Sequence, residues 1–126
     1  MRPSPENASW WRCFVDALRG VSTAFRSERN LRIHFVLLVF AVVLGWWLQL
    51  STTEWIALVL CSALVVGAEM LNTGIEFLAD ALHPEEHPVI GKAKDVAAGA
   101  VLIAAVAAVI VGAILFLPKL WELFAK

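Results

Sequence analysis

Three long apolar runs, separated by short polar segments, dominate the sequence. A helix needs about 20 apolar residues to cross the hydrocarbon core of a bilayer. The run over 33–50 is broken only by His34 and Gln49, and the run over 96–117 carries no charge before Pro118. The pattern predicts transmembrane helices over 33–50 and 96–117, the second of them ended by the proline.

The middle run is uncharged only from Trp55 to Ala68, which is too short to span, so its helix must continue through Glu69. Two prolines and a charge run in 83–88 stop it, which predicts a second transmembrane helix over 55–80. Trp46, Trp47 and Trp55 flank the turn at 51–54 and mark a membrane interface. Ser51 or Thr52 is placed to cap the helix that follows the turn.

Residues 8–27 have a different pattern, with apolar residues at helical spacing and charged residues off that stripe. The stripe consists of Trp11, Phe14, Val15, Leu18, Val21 and Phe25. A helix of this kind suits the plane of the membrane interface. The alternative is an ordinary surface helix of a soluble domain. The third run is rich in Gly and Ala, which predicts close packing against other helices.

Composition supports the membrane class, because 60% of the 126 residues are hydrophobic and 17% are charged. The fold class predicted is all-α, a single membrane-embedded unit over 1–126. Five arginines cluster between Arg12 and Arg32 beside an apolar run, which favours anionic lipid headgroups and no nucleic acid partner. Cys13 and Cys61 form no disulfide or metal pattern, and Met1–Asn7 is no signal peptide.

Basic residues set the predicted orientation, because positive charges stay on the cytoplasmic side. The N-terminal segment carries all six arginines and the 81–95 loop carries two lysines, whereas the 51–54 turn carries neither. We therefore expect a multi-pass protein of the bacterial cytoplasmic membrane, with the N-terminus and the 81–95 loop in the cytoplasm.

A polar row interrupts the second span, since Glu69, Asn72, Glu76 and Asp80 follow one helical face over about 16 Å. Carboxylates at membrane depth are costly and usually functional. The alternative is that Glu76 and Asp80 lie in the headgroup zone. At membrane depth little water competes for a carboxylate, which suits Glu69 to the role of general base.

Two further groups complete a candidate for phosphoryl transfer. Lys94 and Asp95 are predicted to open the third span, where a lysine opposes the helix dipole unless it meets a polyanion; the alternative is an interfacial anchor. Glu28 lies among arginines, and is either a Mg²⁺ ligand converging with Glu76 or simple charge balance. Lysine, Mg²⁺ and a base are what phosphoryl transfer needs, although no soluble nucleotide-binding motif is present. His34, His83 and His87 are weak signals by themselves.

At these residues the sequence resembles the prokaryotic diacylglycerol kinase family, including its undecaprenol kinase branch. The similarity covers about residues 12–118 and is carried by three stretches. They read SERNLRIH (27–34), EMLNTGIE (69–76) with Asp80, and HPVIGKAKDVAAGAVL (87–102). The resemblance implies a homotrimer of three-span subunits with active sites shared between subunits, using ATP and Mg²⁺.

The resemblance also implies a role for each matching residue. Glu69 would be the catalytic base, and Glu28 and Glu76 would hold the metal and thereby ATP. Asn72 and Asp80 would support the site. The nucleotide would meet Glu85, Glu86, His87, Lys94 and Asp95, and the lipid would meet Asn30, Leu31, Arg32, Ile33, His34 and Glu69.

Departures from the family pattern leave the lipid open. His34 stands where the diacylglycerol-specific enzymes of Gram-negative type carry an acid, and Asp16 stands where an aromatic residue contacts the nucleotide. The substrate is undecaprenol, towards which the matching stretches tilt, or diacylglycerol. Two other classes remain, a small proton-coupled transporter that uses Glu69 and a non-catalytic assembly subunit.

Overall fold

Four α-helices make up residues 10–126, which are the residues that the computed structural model describes. They are α1 (Trp10–Ser27), α2 (Arg29–Trp47), α3 (Thr52–Leu82) and α4 (Pro88–Phe124). The last three are each long and apolar enough to cross a membrane, which confirms the predicted all-α class with three spans. The start of the predicted surface helix, at residues 8 and 9, and the segment Met1–Asn7 lie outside the described residues.

Helix α1 turns most of its apolar stripe away from the other helices, although Phe25 near its end packs edge-on against Phe35 of α2. Trp10 is 92% exposed, and Trp11, Phe14 and Leu18 are each more than half exposed, whereas Ala24 is buried. At its end, the Arg32 guanidinium donates hydrogen bonds to the carbonyl oxygens of Phe25 and Arg26, at 3.3 and 2.9 Å. An outward apolar stripe suits a helix lying on a membrane surface.

Helix α2 is shifted towards the N-terminus relative to the predicted span of 33–50. It begins at Arg29, directly after Glu28, whose backbone is extended. The first helical turn contains polar residues, so the apolar run did not indicate where the helix starts. It ends at Trp47, since Gln49 adopts a left-handed conformation with φ of 55°. Only 11% of its most apolar 18-residue stretch is buried within the chain.

Helices α3 and α4 form the most closely packed pair of the molecule. Helix α4 starts at Pro88, not at residue 96, so only 83–87 of the predicted 81–95 loop lies outside helices. A proline suits the first helical position, where an N–H has no helical partner. The prediction that Pro118 ends the last span is also wrong, because α4 continues to Phe124. Membrane helices tolerate proline where neighbours satisfy the freed carbonyl.

The connection between α2 and α3 is tightly built. The Ser51 hydroxyl accepts from the Glu54 N–H at 3.3 Å, and the Ser51 N–H donates to the Glu54 carboxylate at 2.7 Å. This capping box makes Ser51, not Thr52, the cap. A Cβ on Gly45 would lie 2.8 Å from a methyl group of the Leu50 side chain, so a larger residue there would require that side chain to shift.

Candidate active site

The predicted site residues collect at the other end of the helical bundle. The C-terminal half of α3 meets α1 and the start of α2 there, and the 83–87 loop leads from α3 into α4. Three polar contacts follow one another along α3, at Glu69, at Asn72–Glu76 and at Asp80. These residues lie at the same end of the helical bundle as the 83–87 loop.

Glu69 is the most deeply placed carboxylate of the described chain, with 3% of the residue exposed. His34 of α2 lies opposite it, with Nε2 3.2 Å from the Glu69 Oε1 atom. The next helical turn is fixed by Thr73, whose buried hydroxyl donates to the Glu69 backbone carbonyl at 2.9 Å. A carboxylate kept from water and paired with one imidazole can act as a proton acceptor.

One turn further along α3, Asn72 and Glu76 contact each other. The Asn72 amide nitrogen donates to the Glu76 Oε1 atom at 3.1 Å. The amide oxygen of Asn72 is buried and has no hydrogen-bond partner within residues 10–126. A buried oxygen without a donor is costly, so a hydrogen-bond donor or a cation supplied from outside these residues would be favourable at this position.

Asp80 and Lys94 join α3 to α4, with Lys94 Nζ 3.0 Å from Asp80 Oδ1. Both residues line a cavity of about 490 Å³ together with the loop and the first turn of α4. The other lining residues are His83, Pro84, Glu85, Glu86, His87, Pro88, Ile90 and Gly91. The cavity therefore unites four of the predicted nucleotide-binding residues, Glu85, Glu86, His87 and Lys94, with Asp80.

The helix-dipole argument for Lys94 is wrong. Because α4 begins at Pro88, Lys94 lies in its second turn, beyond the reach of the terminal dipole. The contact with Asp80 gives a better reason for its position, since it holds the ammonium at the mouth of the cavity.

Other predicted residues are positioned less decisively. Glu28 is half-buried at the N-terminus of α2 and does not cap that helix with its side chain. Asp95 is exposed on α4. Within the predicted lipid-contacting segment, Asn30, Arg32 and Ile33 are exposed, whereas Leu31 is 2% exposed and packs inward.

The donor set fits a hard divalent cation in part. Glu28, Asn72 and Glu76 offer carboxylate and amide oxygens, the ligands that Mg²⁺ prefers. Over residues 10–126 no group of three or more acidic, histidine or cysteine side chains lies close enough to hold a metal alone. Mg²⁺ usually takes one or two carboxylates and completes its shell with water and phosphate oxygens, so a sparse protein set suffices.

The pairing of His34 with Glu69 is the feature that sequence reasoning missed. His34 stood among the lipid-contacting residues, and nothing in its spacing points to α3. The available signal was a buried carboxylate in need of a partner and a histidine at a similar distance from the same membrane surface on the preceding span.

Comparisons with known proteins identify the family of the chain. The family model of prokaryotic diacylglycerol kinase matches residues 15–116. An undecaprenol kinase of Bacillus subtilis is 38% identical over 88% of this chain and 90% of its own length. A diacylglycerol kinase of Escherichia coli K12 is 36% identical over 84% of each chain. One from Synechocystis is 44% identical over 87% of this chain and 63% of its own length. The chain belongs to the prokaryotic diacylglycerol kinase family.

Proposed function

We propose that this chain is a lipid kinase that transfers the γ-phosphoryl group of ATP to the hydroxyl of a membrane lipid alcohol at the cytoplasmic face. The observation that carries the proposal is Glu69, a carboxylate 3% exposed on a helix long enough to span. Relatives of this chain are named undecaprenol kinase and diacylglycerol kinase, and both of these lipids bear an alcohol at the membrane surface.

Glu69 is the general base in this proposal. Its carboxylate accepts the proton of the lipid hydroxyl as the oxygen attacks the γ-phosphorus, and the bond to the β-phosphate oxygen breaks in line. The proton ends on Glu69, the phosphoryl group on the lipid oxygen, and ADP leaves. A position on a spanning helix is what brings the base to a hydroxyl that is itself anchored in the bilayer.

The nucleotide end of the site is assigned to the cavity between α3 and α4. Lys94 there supplies a cation for phosphate oxygens, and Asp80 orients it from 3.0 Å. Glu28 and Glu76 would hold Mg²⁺, which neutralises phosphate charge when it is bound. Asn72 steadies the Glu76 carboxylate through its amide hydrogen bond.

The proposal includes a homotrimer with shared sites. Little of α2 is buried by its own chain, and an apolar groove of about 210 Å³ separates it from α3 and α4. The open side of the polar row on α3 needs protein or water, since lipid cannot solvate carboxylates. Neighbouring subunits would supply that environment, and Glu28 can then reach a site from either chain.

Phosphate transfer to extracted lipid tests the proposal. Purified protein in mixed micelles receives Mg²⁺ and ATP labelled at the γ-phosphate, with undecaprenol and diacylglycerol in parallel reactions. We expect labelled lipid, at a higher rate with undecaprenol. Undecaprenyl acetate, whose hydroxyl is blocked, is the matched control. Label in neither alcohol, or equal label in the acetate, would contradict a kinase acting on a lipid hydroxyl.

A further inference from the structure

The contact between His34 and Glu69 joins two helices that otherwise touch sparingly. Helix α2 contacts α3 much less extensively than α4 does, and an apolar groove opens beside His34. The 3.2 Å approach of Nε2 to Glu69 Oε1 is therefore a specific contact within a loosely packed region.

The environment makes this contact strong. The Glu69 side chain is 4% exposed and that of His34 is 26% exposed, so little water competes for the carboxylate. The attraction between an imidazole nitrogen that carries hydrogen and a carboxylate gains strength when little water is present.

We propose that His34 is a positioning residue that holds the Glu69 carboxylate for its reaction with the lipid hydroxyl. The contact at Oε1 restrains the carboxylate and leaves the second oxygen, Oε2, for the substrate proton. The Thr73 hydroxyl, bonded to the Glu69 carbonyl, steadies the backbone below it. His34 does not take the proton itself, since Nε2 is engaged. The inference rests on the proposed function and deepens it.

Two substitutions separate this role from packing. In His34→Gln the amide nitrogen lies close to the position of Nε2 and can still donate, whereas His34→Leu has no donor. We expect H34L to lower kcat by about 10- to 100-fold, as misplaced catalytic groups do, with KM for ATP little changed. H34Q should recover most of that loss. Val36→Leu, an exposed position on the same helix, serves as the matched control and should keep wild-type kcat.

Nitrogen-15 NMR of histidine-labelled protein gives a readout that does not need turnover. The chain has three histidines, and H34L identifies the signals of His34 by their loss. Glu69→Gln removes the charge that Nε2 faces, so the His34 ring signals should shift while those of His83 and His87 stay in place. These two rings lie together in the distant loop and act as internal references.

The outcomes are distinct. An active wild-type enzyme whose H34L variant keeps full kcat, or raises only KM for the lipid, overturns the positioning role, because the second result is the sign of uniform substrate binding. If the His34 ring signals do not shift in E69Q, the positioning role is overturned as well. A wild-type protein that labels no lipid alcohol overturns the proposed function, and the role of His34 falls with it.

Discussion

The two ends of the helical bundle use similar residues for different purposes. At the end formed by the α2–α3 connection, Glu54 closes a capping box with Ser51 and also pairs with Lys119 of α4 at 3.3 Å. At the opposite end, Glu69 pairs with His34 at nearly the same distance, 3.2 Å. Both are contacts between a glutamate oxygen and a side-chain nitrogen of another helix, yet only one lies where a substrate is expected.

The two ends of the bundle differ in whether their polar groups remain available to a ligand. At the connection, Glu54 serves its own helix N-terminus and a lysine, and Leu50, Leu58 and Leu115 pack beside it. At the site, the amide oxygen of Asn72 is buried without a partner in the described chain. A structural end satisfies its polar groups internally, whereas a functional end retains groups for a ligand.

The largest expected effect comes from Glu69→Gln, which keeps the shape of the side chain but cannot accept the proton. Turnover should fall by about 10²- to 10⁴-fold, the usual contribution of a general base, with nucleotide binding retained. The assay is label transfer to lipid, together with binding of an ATP analogue. Glu54→Gln is the matched control at the other end and should keep its turnover. A Glu69→Gln enzyme with more than about a tenth of the wild-type rate is inconsistent with a base.

Next in size is the recovery expected on mixing two inactive subunits. At a Mg²⁺ concentration too low to sustain Glu28→Gln, this variant and Glu69→Gln should each be inactive alone and regain part of the activity when co-assembled, since some shared sites would receive both wild-type residues. Differently tagged subunits, purified in tandem, provide verified mixed trimers for the assay. Mixed trimers that remain inactive would show that each site lies within one chain.

A smaller effect is expected on the metal requirement. Glu28→Gln or Glu76→Gln should raise the Mg²⁺ concentration for half-maximal rate, because each removes a carboxylate from one metal unit. The double substitution should lose less than the sum of the two single losses in free energy. Mg²⁺ titrations of the three variants measure this, and strict additivity would mark the two residues as independent charges.

At the connection, Ser51→Ala should affect stability without affecting turnover. Loss of the cap should cost about 0.5–2 kcal/mol, seen as a lower midpoint of thermal unfolding in detergent. Thr52→Ala, one residue along and outside the capping box, is the matched control and should lose less. Equal losses for the two variants would remove the special role of Ser51.

The smallest effect is expected from Lys119→Met, which breaks the ion pair with Glu54 and keeps the length of the side chain. Both side chains are partly exposed, so water screens the pair and its contribution to stability is small. Thermal unfolding at low and high salt measures it, since screening weakens the wild-type pair alone. A loss as large as that of Ser51→Ala would show that the α3–α4 link, not the cap, holds this end.

The sequence predicted the polar row on α3 better than it predicted the helix ends. The spacing of Glu69, Asn72, Glu76 and Asp80 requires only one helix, so their common face followed from periodicity. The start of α4 did not follow, because the turns from Pro88 to Asp95 mix Val89 and Ile90 with a glycine and three charged residues, so they carry no long apolar run although they are helical. The predicted end of the last helix at Pro118 was also wrong, because the free-energy cost of a proline inside a helix is offset by the helix around it.

The sequence by itself determined the class of the protein, its three spans, the polar row on α3 and the family, because each depends on local composition, helical periodicity or a sequence motif. Only the tertiary structure decided which residues on different helices meet. His34 with Glu69, Asp80 with Lys94, and Glu54 with Lys119 are separated by 14 to 65 positions in the chain. Such contacts depend on the rotation and relative depth of packed helices, which side chains from several segments set together.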